Sequence, residues 1–290
     1  MKYRKTFYLV KNMHSNGILI SVVLGVKNAN RTIDKFIQAI NNQTYQNIEL
    51  IIVDNDSDDG TKAKLDLALN QGLITKLYTQ GPERSAQRNK GINEASGKYV
   101  LVLDADQYLS AKVVEEAVKM CEEQGYDSLF ITEETVAGGY WGKCKKFERD
   151  FYMIGDISVE ALRFFNKDKV KSLEIPGFDE NTTGVEDFDL TDRFIAKYPK
   201  YSRTKSRLIH DEGEINLKEQ IKKKKYYSKT GLVEYLKRAP KFRKTTFPLR
   251  PSCFKQWYRF LLHPILTIGV FYMKFAESIP VLLKMGANKS

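Results

Sequence analysis

The chain has few of the residues that build metal centres or disulfide frameworks. It contains three cysteines and three histidines in 290 residues. Cys121, Cys144 and Cys253 lie far apart, and none belongs to a CxxC motif or to cysteine/histidine ligand spacing. The spacing therefore predicts neither a structural zinc site nor a disulfide-stabilised secreted fold. A reducing, cytoplasmic setting fits this cysteine usage.

Leader, membrane-spanning and dinucleotide-binding signatures are also missing. Met1–Asn16 is basic but lacks the apolar core and small-residue cleavage site of a secretory leader, so we treat residues 1–16 as an N-terminal extension. Leu261–Met285 is apolar, but charges and prolines interrupt it, which disfavours a clean bilayer span. No GxGxxG follows the first apolar segment, which disfavours a dinucleotide-dependent dehydrogenase.

Charge is distributed unevenly along the chain. The last part, Lys197–Ser290, holds 22 of the 47 Lys and Arg residues but only 6 of the 36 Asp and Glu residues. A mildly acidic domain therefore precedes a strongly basic region. This asymmetry suggests nucleic acid or an anionic membrane surface as a partner.

The basic region, residues 216–290, combines lysines with aromatic and apolar residues. Lys222–Tyr227 lies in a basic helical stretch, and Trp257 and Tyr258 precede the apolar segment Leu261–Met285. We expect an amphipathic, partly helical tail that lies in a membrane interface, with no nucleic acid as partner. A C-terminal helix packed on the domain is the alternative.

Apolar segments of strand type alternate with segments of helical periodicity. The predicted strands are Ile18–Gly25, Ile48–Val53, Ile74–Tyr78, Tyr99–Leu103, Ser128–Thr132 and Arg163–Asn166. The predicted helices are Thr32–Asn41, Thr61–Asn70, Arg84–Ala95, Ala111–Glu123, Trp141–Met153 and Glu186–Lys197, with a loop at Gly177–Val185. The alternation predicts an α/β domain over residues 17–215, with a mostly parallel sheet flanked by helices.

Carboxylates follow two of the predicted buried strands. Asp104 and Asp106 come directly after Tyr99–Leu103, and Asp54 and Asp56 follow the second strand. Ligands of parallel sheets bind at the carboxyl ends of the strands, where two such oxygens can hold a divalent cation. The alternatives are an acidic turn after the fourth strand and a helix-capping cluster after the second.

Three further groups are candidates for the same site. Arg84 and Arg88 lie one helical turn apart and suit a base carbonyl or a phosphate, or else salt bridges on a solvated face. Glu186 and Asp187 begin a predicted helix, where a carboxylate can act as a general base or simply start the helix. His210 is either a ligand or a structural histidine.

These motifs, in their order and spacing, resemble the family 2 glycosyltransferases of GT-A fold. The resemblance runs from about Ile18 to Gly213: Asp54-Asn-Asp-Ser, Arg88-Asn-x-Gly, Asp104-x-Asp106 and Glu186-Asp187. Members commonly continue the first strand as Pro-x-Tyr/Phe-Asn, of which this chain keeps only Asn28.

The resemblance implies a role for each matching residue. Asp54 matches the carboxylate that contacts the nucleotide base, Arg88 lines the same pocket, and Asp104 faces the ribose. The implied donor-binding set is Asn28, Asp54, Asp56, Arg84, Arg88 and Asp104. The implied ligands of Mn²⁺ or Mg²⁺ are Asp106, Asp104 and His210. Asp187, beside Glu186, is implied as the catalytic base.

The resemblance further implies an inverting transfer of a sugar from a nucleotide-sugar donor to an acceptor hydroxyl. The tail is similar to that of members that are attached to the cell membrane on its cytoplasmic face and act on a lipid-linked or cell-surface glycan. The residues alone also leave open a nucleotidyltransferase and a non-catalytic module that binds membrane or RNA.

Overall fold

A mixed eight-stranded sheet forms the centre of the computed structural model, which describes residues 17–151, 160–229, 231–240 and 255–287. The strands are β1 (Ile20–Val26), β2 (Ile48–Asp54), β3 (Lys76–Thr79), β4 (Tyr99–Leu103), β5 (Gln107–Leu109), β6 (Ser128–Gly138), β7 (Phe164–Asn166) and β8 (Tyr201–Glu214). Across the sheet they run in the order β3-β2-β1-β4-β7-β6-β8-β5.

Helices lie on both faces of this sheet. They are α1 (Ile33–Asn41), α2 (Thr61–Asn70), α3 (Arg84–Glu94), α4 (Val113–Gln124), α5 (Gly139–Arg149), α6 (Lys167–Lys171), α7 (Glu186–Lys197), α8 (Leu217–Lys229), α9 (Leu232–Arg238), α10 (Tyr258–Leu262) and α11 (Pro264–Ala287). In α1 the apolar residues at i, i+3, i+4 and i+7 are all buried, which is why this segment folds as a helix against the sheet.

The first four strands in the order form a parallel unit, the N-terminal half-sheet (β3-β2-β1-β4). Val26 of β1 lies beside Asp54 of β2, and Leu24 lies beside Leu103 of β4. The carboxyl ends of β1, β2 and β4 therefore meet at one edge. This register confirms the expected parallel sheet and places the acids that follow β2 and β4 on the same side.

The other four strands form the C-terminal half-sheet (β7-β6-β8-β5), in which β7 runs antiparallel to β4 and β6. Here the sequence-based prediction was incomplete. It omitted β5 and β8 and ended β6 at Thr132, whereas β6 continues to Gly138 beside β8. Within β8 only Thr204 and Leu208 are fully buried, so its sequence carries little apolar alternation. The predicted loop at Gly177–Val185 also contains a 3₁₀ turn.

Alternate residues of the central strands pack into two cores. Val22 and Leu101 pack with α1, α2 and α4 on one face. Val23 and Val102 pack with Ile92 of α3 and with α7 on the other. Because both faces are covered, the strands read as continuous apolar runs rather than as an alternating pattern.

Two glycines allow close approach within the N-terminal half-sheet. A Cβ at Gly91 of α3 would lie 2.3 Å from the Val23 side chain. One at Gly97, before β4, would lie 2.6 Å from the Leu19 carbonyl oxygen. Gly91 therefore lets α3, which carries Arg84 and Arg88, lie directly on β1.

The tail packs on the domain through one face of α11. Val270 and Met273 are buried against Cys144, Phe147 and Phe151 of the α5 region. The opposite face of α10 and α11 exposes large apolar side chains: Tyr258, Leu261, Leu262, Ile265, Ile268, Phe271, Tyr272, Phe275 and Ile279. Within the described ranges, no helix has both the length and the apolar content needed to cross a bilayer.

Some expectations fall beyond these ranges or are not tested by them. The N-terminal extension 1–16 and Met153 lie outside the described residues. The expected division after residue 215 falls between the end of β8 and the start of α8. That division stays a prediction.

Candidate active site

Asp104 and Asp106 lie in a tight turn at the end of β4. The Asp104 N–H donates to Gln107 Oε1 at 3.0 Å, and the Gln107 N–H donates back to the Asp104 carbonyl at 3.0 Å. This turn leads directly into β5, which pairs with β8 and sets Gln107 opposite His210. The acid pair is therefore held between the two half-sheets.

Arg88 connects this turn to α7. Its guanidinium donates to Asp104 Oδ1 at 2.5 Å and to Asp187 Oδ1 at 2.7 Å, and lies 3.5 Å from Glu186 Oε1. The side chain is 0% exposed and lies over the Phe178 ring. These carboxylates surround the Arg88 guanidinium, so Arg88 holds Asp104 and Asp187 in place. A contact between Arg88 and the donor stays a prediction.

The ionisation of Asp104 follows from these neighbours. Burial opposes its charge, but Arg88 and Arg163 hold the pKa of Asp104 well below its usual range. Arg163 Nη1 lies 3.4 Å from Asp104 Oδ2, so each carboxylate oxygen has a cationic partner. Asp104 is therefore an anion whose charge is largely compensated by the protein.

Asp106 faces a different set of groups. Its Oδ2 lies 3.5 Å from His210 Nε2, whereas its Oδ1 is buried and has no hydrogen-bond partner among the residues the structure describes. A buried carboxylate oxygen without a partner is costly unless a ligand completes it. Asp106 is thus the acid of the pair that retains an oxygen for a ligand.

Two residues outside the predicted site, Glu133 and Arg149, support His210 on its Nδ1 side. Its Nδ1 lies 2.7 Å from Glu133 Oε1, and Glu133 in turn accepts from Arg149 of α5 at 2.8 Å. Burial lowers the pKa of His210, but its contacts with Asp106 and Glu133 outweigh this and raise it to about 9. The same contact helps to hold the pKa of Glu133 at about 2, against the effect of burial.

Glu186 and Asp187 begin α7 but have different surroundings. Glu186 is buried, accepts from the Gly184 N–H at 2.5 Å and pairs with Arg84 Nε at 2.9 Å. Asp187 remains 25% exposed. Glu186 therefore fixes the start of α7, whereas Asp187 is partly open to solvent. The role of Asp187 as the base stays a prediction.

The acids after β2 organise a loop. Both oxygens of Asp54 accept from Ser57, at 3.0 Å from its N–H and 2.6 Å from its hydroxyl. Ser57 accepts from the Asn28 N–H, and Asn28 Oδ1 accepts from the Asp58 N–H at 3.1 Å. Asn28 and Asp56 have positive φ angles. Asp54 thus shapes the loop beside Asn28, and its contact with a nucleotide base stays a prediction.

A cavity of about 650 Å³ opens at the carboxyl edge of β1 and β4. Of the expected site residues, Asn28, Arg84, Asp104, Asp106 and His210 line it. Its wall also includes Lys27, Arg31, Asn55, Thr183 and Lys223, which were not among the predicted site residues. Its volume falls in the range of small-molecule sites. Among the described residues, no three His, Cys, Asp or Glu side chains converge as a closed metal site.

Comparison of the chain with protein-family models identifies its family. The model described as "Glycosyl transferase family 2" matches residues 21–178, which is more than half of the chain. The chain belongs to glycosyl transferase family 2. Membership favours a glycosyltransferase over the two alternatives, a nucleotidyltransferase and a non-catalytic module.

Curated family 2 relatives share about a third of their aligned residues with the chain. Glycosyltransferase GlyG of Streptococcus pneumoniae is 30% identical over 50% of this chain and 47% of its own length. An Escherichia coli protein named UDP-Glc:alpha-D-GlcNAc-diphosphoundecaprenol beta-1,3-glucosyltransferase WfgD is 33% identical over 41% and 47%. A Campylobacter jejuni GalNAc(5)-diNAcBac-PP-undecaprenol beta-1,3-glucosyltransferase is 28% identical over 58% and 57%. The chain spans about half the length of these curated relatives.

Solved structures share the fold over most of the chain. Staphylococcus aureus TarS 1–349 in complex with UDP superposes with a TM-score of 0.55 at 16% identity, covering 90% of each chain. Mannosyltransferase PcManGT from Pyrobaculum calidifontis, in complex with GDP-Man and Mn²⁺, gives a TM-score of 0.57 at 16% identity, covering 93% of this chain and 80% of that one. The family 2 domain therefore has the GT-A fold.

Proposed function

We propose that this protein transfers a sugar from a nucleotide-sugar donor to an acceptor hydroxyl with inversion at the anomeric carbon. The observation that carries the proposal is the bridge formed by Arg88 between Asp104 and Asp187. It brings an acid at the donor cavity and a partly exposed carboxylate of α7 to a single guanidinium. A single displacement needs such an arrangement, with the leaving group on one side and a base on the other.

The donor occupies the cavity at the end of β1 and β4 in this proposal. Asn28, Asp54 and Asp56 shape the loop at its wall, and Asp104 contacts the ribose. Arg84 lines the cavity, where its guanidinium pairs with Glu186 at 2.9 Å and would donate hydrogen bonds to the diphosphate. Arg88 acts one step behind, by fixing Asp104.

A divalent cation fits the residues at Asp106. Asp106 Oδ1 is buried without a partner among the described residues, and carboxylate oxygens suit Mn²⁺ and Mg²⁺. Asp106 would be its main protein ligand, with Asp104 and His210 beside it. When bound, the cation supplies charge stabilisation to the departing diphosphate.

Asp187 is the proposed base. It accepts the proton of the acceptor hydroxyl as that oxygen attacks the anomeric carbon, while Arg88 holds one carboxylate oxygen at 2.7 Å. The guanidinium orients Asp187 and leaves its other oxygen for the proton. Glu186 supports this arrangement from its buried position at the start of α7.

The acceptor is proposed to be a lipid-linked glycan. Two of the relatives are named for acceptors on diphosphoundecaprenol or PP-undecaprenol, which supports this class of acceptor. The enzyme would then work at the cytoplasmic face of the cell membrane. The exposed apolar face of α10 and α11, together with the basic tail, suits an anionic membrane surface.

A thermal-shift screen of nucleotide sugars with and without Mn²⁺ tests the donor and the metal together. A ligand that binds only the folded protein raises its melting temperature. We expect one nucleotide-sugar class to stabilise the protein, and to do so more strongly with Mn²⁺. No shift with any nucleotide sugar would overturn the donor assignment.

Vesicle flotation tests the membrane assignment. We expect the protein to float with vesicles that contain anionic lipid and to stay behind with neutral ones. Replacing Leu261 and Leu262 with Ser should reduce flotation, because both side chains are exposed on α10. Flotation that is independent of lipid charge and of these residues would contradict a role for the tail.

A further inference from the structure

Among the residues that the structure describes, five cationic side chains line the cavity, and three of them are paired with carboxylates. The five are Lys27, Arg31, Arg84, His210 and Lys223. Arg31 pairs with Asp211 at 3.1 Å, and Arg84 pairs with Glu186 at 2.9 Å. His210 pairs with Glu133 at 2.7 Å. These three therefore bring little uncompensated charge to a ligand.

Lys27 and Lys223 have a different environment. Lys27 donates to the Asn55 carbonyl oxygen at 3.0 Å, which directs its ammonium along the loop after β2. Lys223, on α8, has neither a hydrogen bond nor an ion pair with any residue in the described part of the chain. Neither ammonium group is therefore paired with a carboxylate of the described residues at the cavity wall.

The acids on the same wall do not supply a partner for Lys223. Asp104 is held by Arg88 and Arg163, and Glu83 accepts from the Thr183 hydroxyl at 3.3 Å. Asp106 lies beside His210. An unneutralised lysine in a cavity suits an anion, and phosphate oxygens are strong acceptors for an ammonium group.

We infer that Lys223 is a diphosphate-binding residue of this cavity, contributed by the basic tail. The inference rests on the proposed function and extends it. When the bond between the anomeric carbon and the β-phosphate oxygen breaks, its electron pair stays on that oxygen. The leaving nucleoside diphosphate gains negative charge, and a nearby ammonium stabilises it.

The geometry separates Lys223 from the neighbouring lysines. Lys222 and Lys225 are also exposed on α8, but they do not line the cavity. A run of four lysines would suit an anionic membrane surface if all four acted alike. Lys223 instead lines the cavity, so α8 carries both a wall of the site and a basic surface.

Two ligands share the required chemistry, namely the diphosphate of the nucleotide donor and the diphosphate of a lipid-linked acceptor. Binding of UDP and GDP in the presence of Mn²⁺ reports on the first. Binding of farnesyl diphosphate reports on the second. Isothermal titration of the full chain measures each without requiring turnover.

The decisive comparison is Lys223→Gln against Lys222→Gln. We expect Lys223→Gln to weaken diphosphate binding about tenfold, the loss of one charge-assisted hydrogen bond, and Lys222→Gln to leave it unchanged. Weaker UDP or GDP binding assigns Lys223 to the donor, and weaker farnesyl diphosphate binding assigns it to the acceptor. Matching melting temperatures of the two variants show that both fold.

The outcomes separate this inference from the proposed function. If a nucleoside diphosphate binds the unmodified protein and all probes bind Lys223→Gln equally well, the role of Lys223 is overturned and the proposed function stands. If only farnesyl diphosphate binds, and binds through Lys223, the inference stands and the donor assignment falls. Equal loss of binding in both variants shows a general charge effect and overturns the inference.

Flotation with anionic vesicles tests the alternative that Lys222–Lys225 bind only the membrane surface. If Lys223→Gln and Lys222→Gln reduce flotation with anionic vesicles equally, and neither changes diphosphate binding, the run serves the membrane alone. That result overturns the assignment of Lys223 to the cavity. Loss of diphosphate binding in Lys223→Gln without loss of flotation supports it.

Discussion

The two half-sheets contribute to the site in different ways. In the N-terminal half-sheet, the parallel register of β1 with β2 and β4 brings the ends of these strands to a common edge. Asp54 is the last residue of β2, and Asp104 directly follows β4. In the C-terminal half-sheet, His210 lies opposite Thr135 and Gln107 within a mixed arrangement.

This difference separates local from long-range determinants. Strand ends are local features, so the acids after β2 and β4 could be assigned from short motifs. The position of His210 depends on which strands β8 pairs with, and these are distant in sequence. Arg88 joins the two kinds of contribution, because its partners Asp104 and Asp187 come from different parts of the chain.

Loss of the base at α7 should have the largest effect. Asp187→Asn should lower kcat about 10²- to 10⁴-fold, because the acceptor hydroxyl loses its proton acceptor, while UDP or GDP binding changes little. Transfer rates and calorimetric binding measure the two. Asp66→Asn, on the exposed face of α2, is the control. Unimpaired transfer by Asp187→Asn would show that Asp187 is not the base.

Loss of Arg88, which contacts both Asp104 and Asp187, should destabilise the protein. Arg88→Gln should lower the free energy of unfolding by about 3 kcal/mol, because it leaves Asp104, Asp187 and Glu186 near one another without their buried cation. Arg84→Gln is the matched control: its side chain is 37% exposed, and we expect a loss below about 1 kcal/mol. Urea denaturation measures both. Equal losses would show that burial does not distinguish the two arginines.

A smaller effect should follow from the support behind His210. Glu133→Gln should weaken Mn²⁺ binding in the presence of UDP about tenfold, because His210 loses the charged acceptor at its Nδ1. Glu134→Gln is the control, since Glu134 pairs with Arg207 at 3.3 Å instead. Calorimetric titration with Mn²⁺ measures the change. An unchanged affinity would show that Glu133 does not support Mn²⁺ binding through His210.

The smallest effect concerns Glu49, within the N-terminal half-sheet. Burial opposes its charge, but hydrogen bonds from Ser21 and Ser96 and the contact with Lys76 hold the pKa of Glu49 below its usual value. The ionised form therefore stabilises the fold above about pH 4.5, the unperturbed value, and this contribution disappears as pH falls through the lowered pKa.

Glu49→Gln should thus cost about 1–2 kcal/mol of unfolding free energy at pH 7, and less in acid. Denaturation at several pH values measures this. Glu115→Gln, at the exposed Thr44 contact, is the control. A cost that stays constant down to acid pH would show that shape rather than charge matters at Glu49.

The sequence predicted correctly those elements whose pattern lies within a short stretch of the chain. The apolar runs of β1, β2 and β4 and the periodicity of α1 and α7 identified these elements to within two residues at each end. Asn28, Arg84, Asp104, Asp106 and His210 do line one cavity. The 0% exposure of Arg88 could not be read from a helical spacing that equally suits a solvated face.

Glu133, Arg149 and Lys223 show what short motifs leave out. Glu133 lies in the part of β6 beyond the expected strand end, and its contact with His210 spans 77 residues. Lys223 cannot be distinguished from Lys222 by composition. Such contacts depend on pairing and docking between distant elements, which local periodicity does not encode.

The sequence by itself determined the parallel core, the acids at its strand ends and the family, because a buried strand and the turn that follows it are set by adjacent residues. Only the tertiary structure decided which atoms remain for a ligand. Asp104 is compensated by Arg88 and Arg163, whereas Asp106 Oδ1 has no partner among the described residues. Charge compensation and burial depend on how all the elements pack together, and they give two acids of the same type different surroundings.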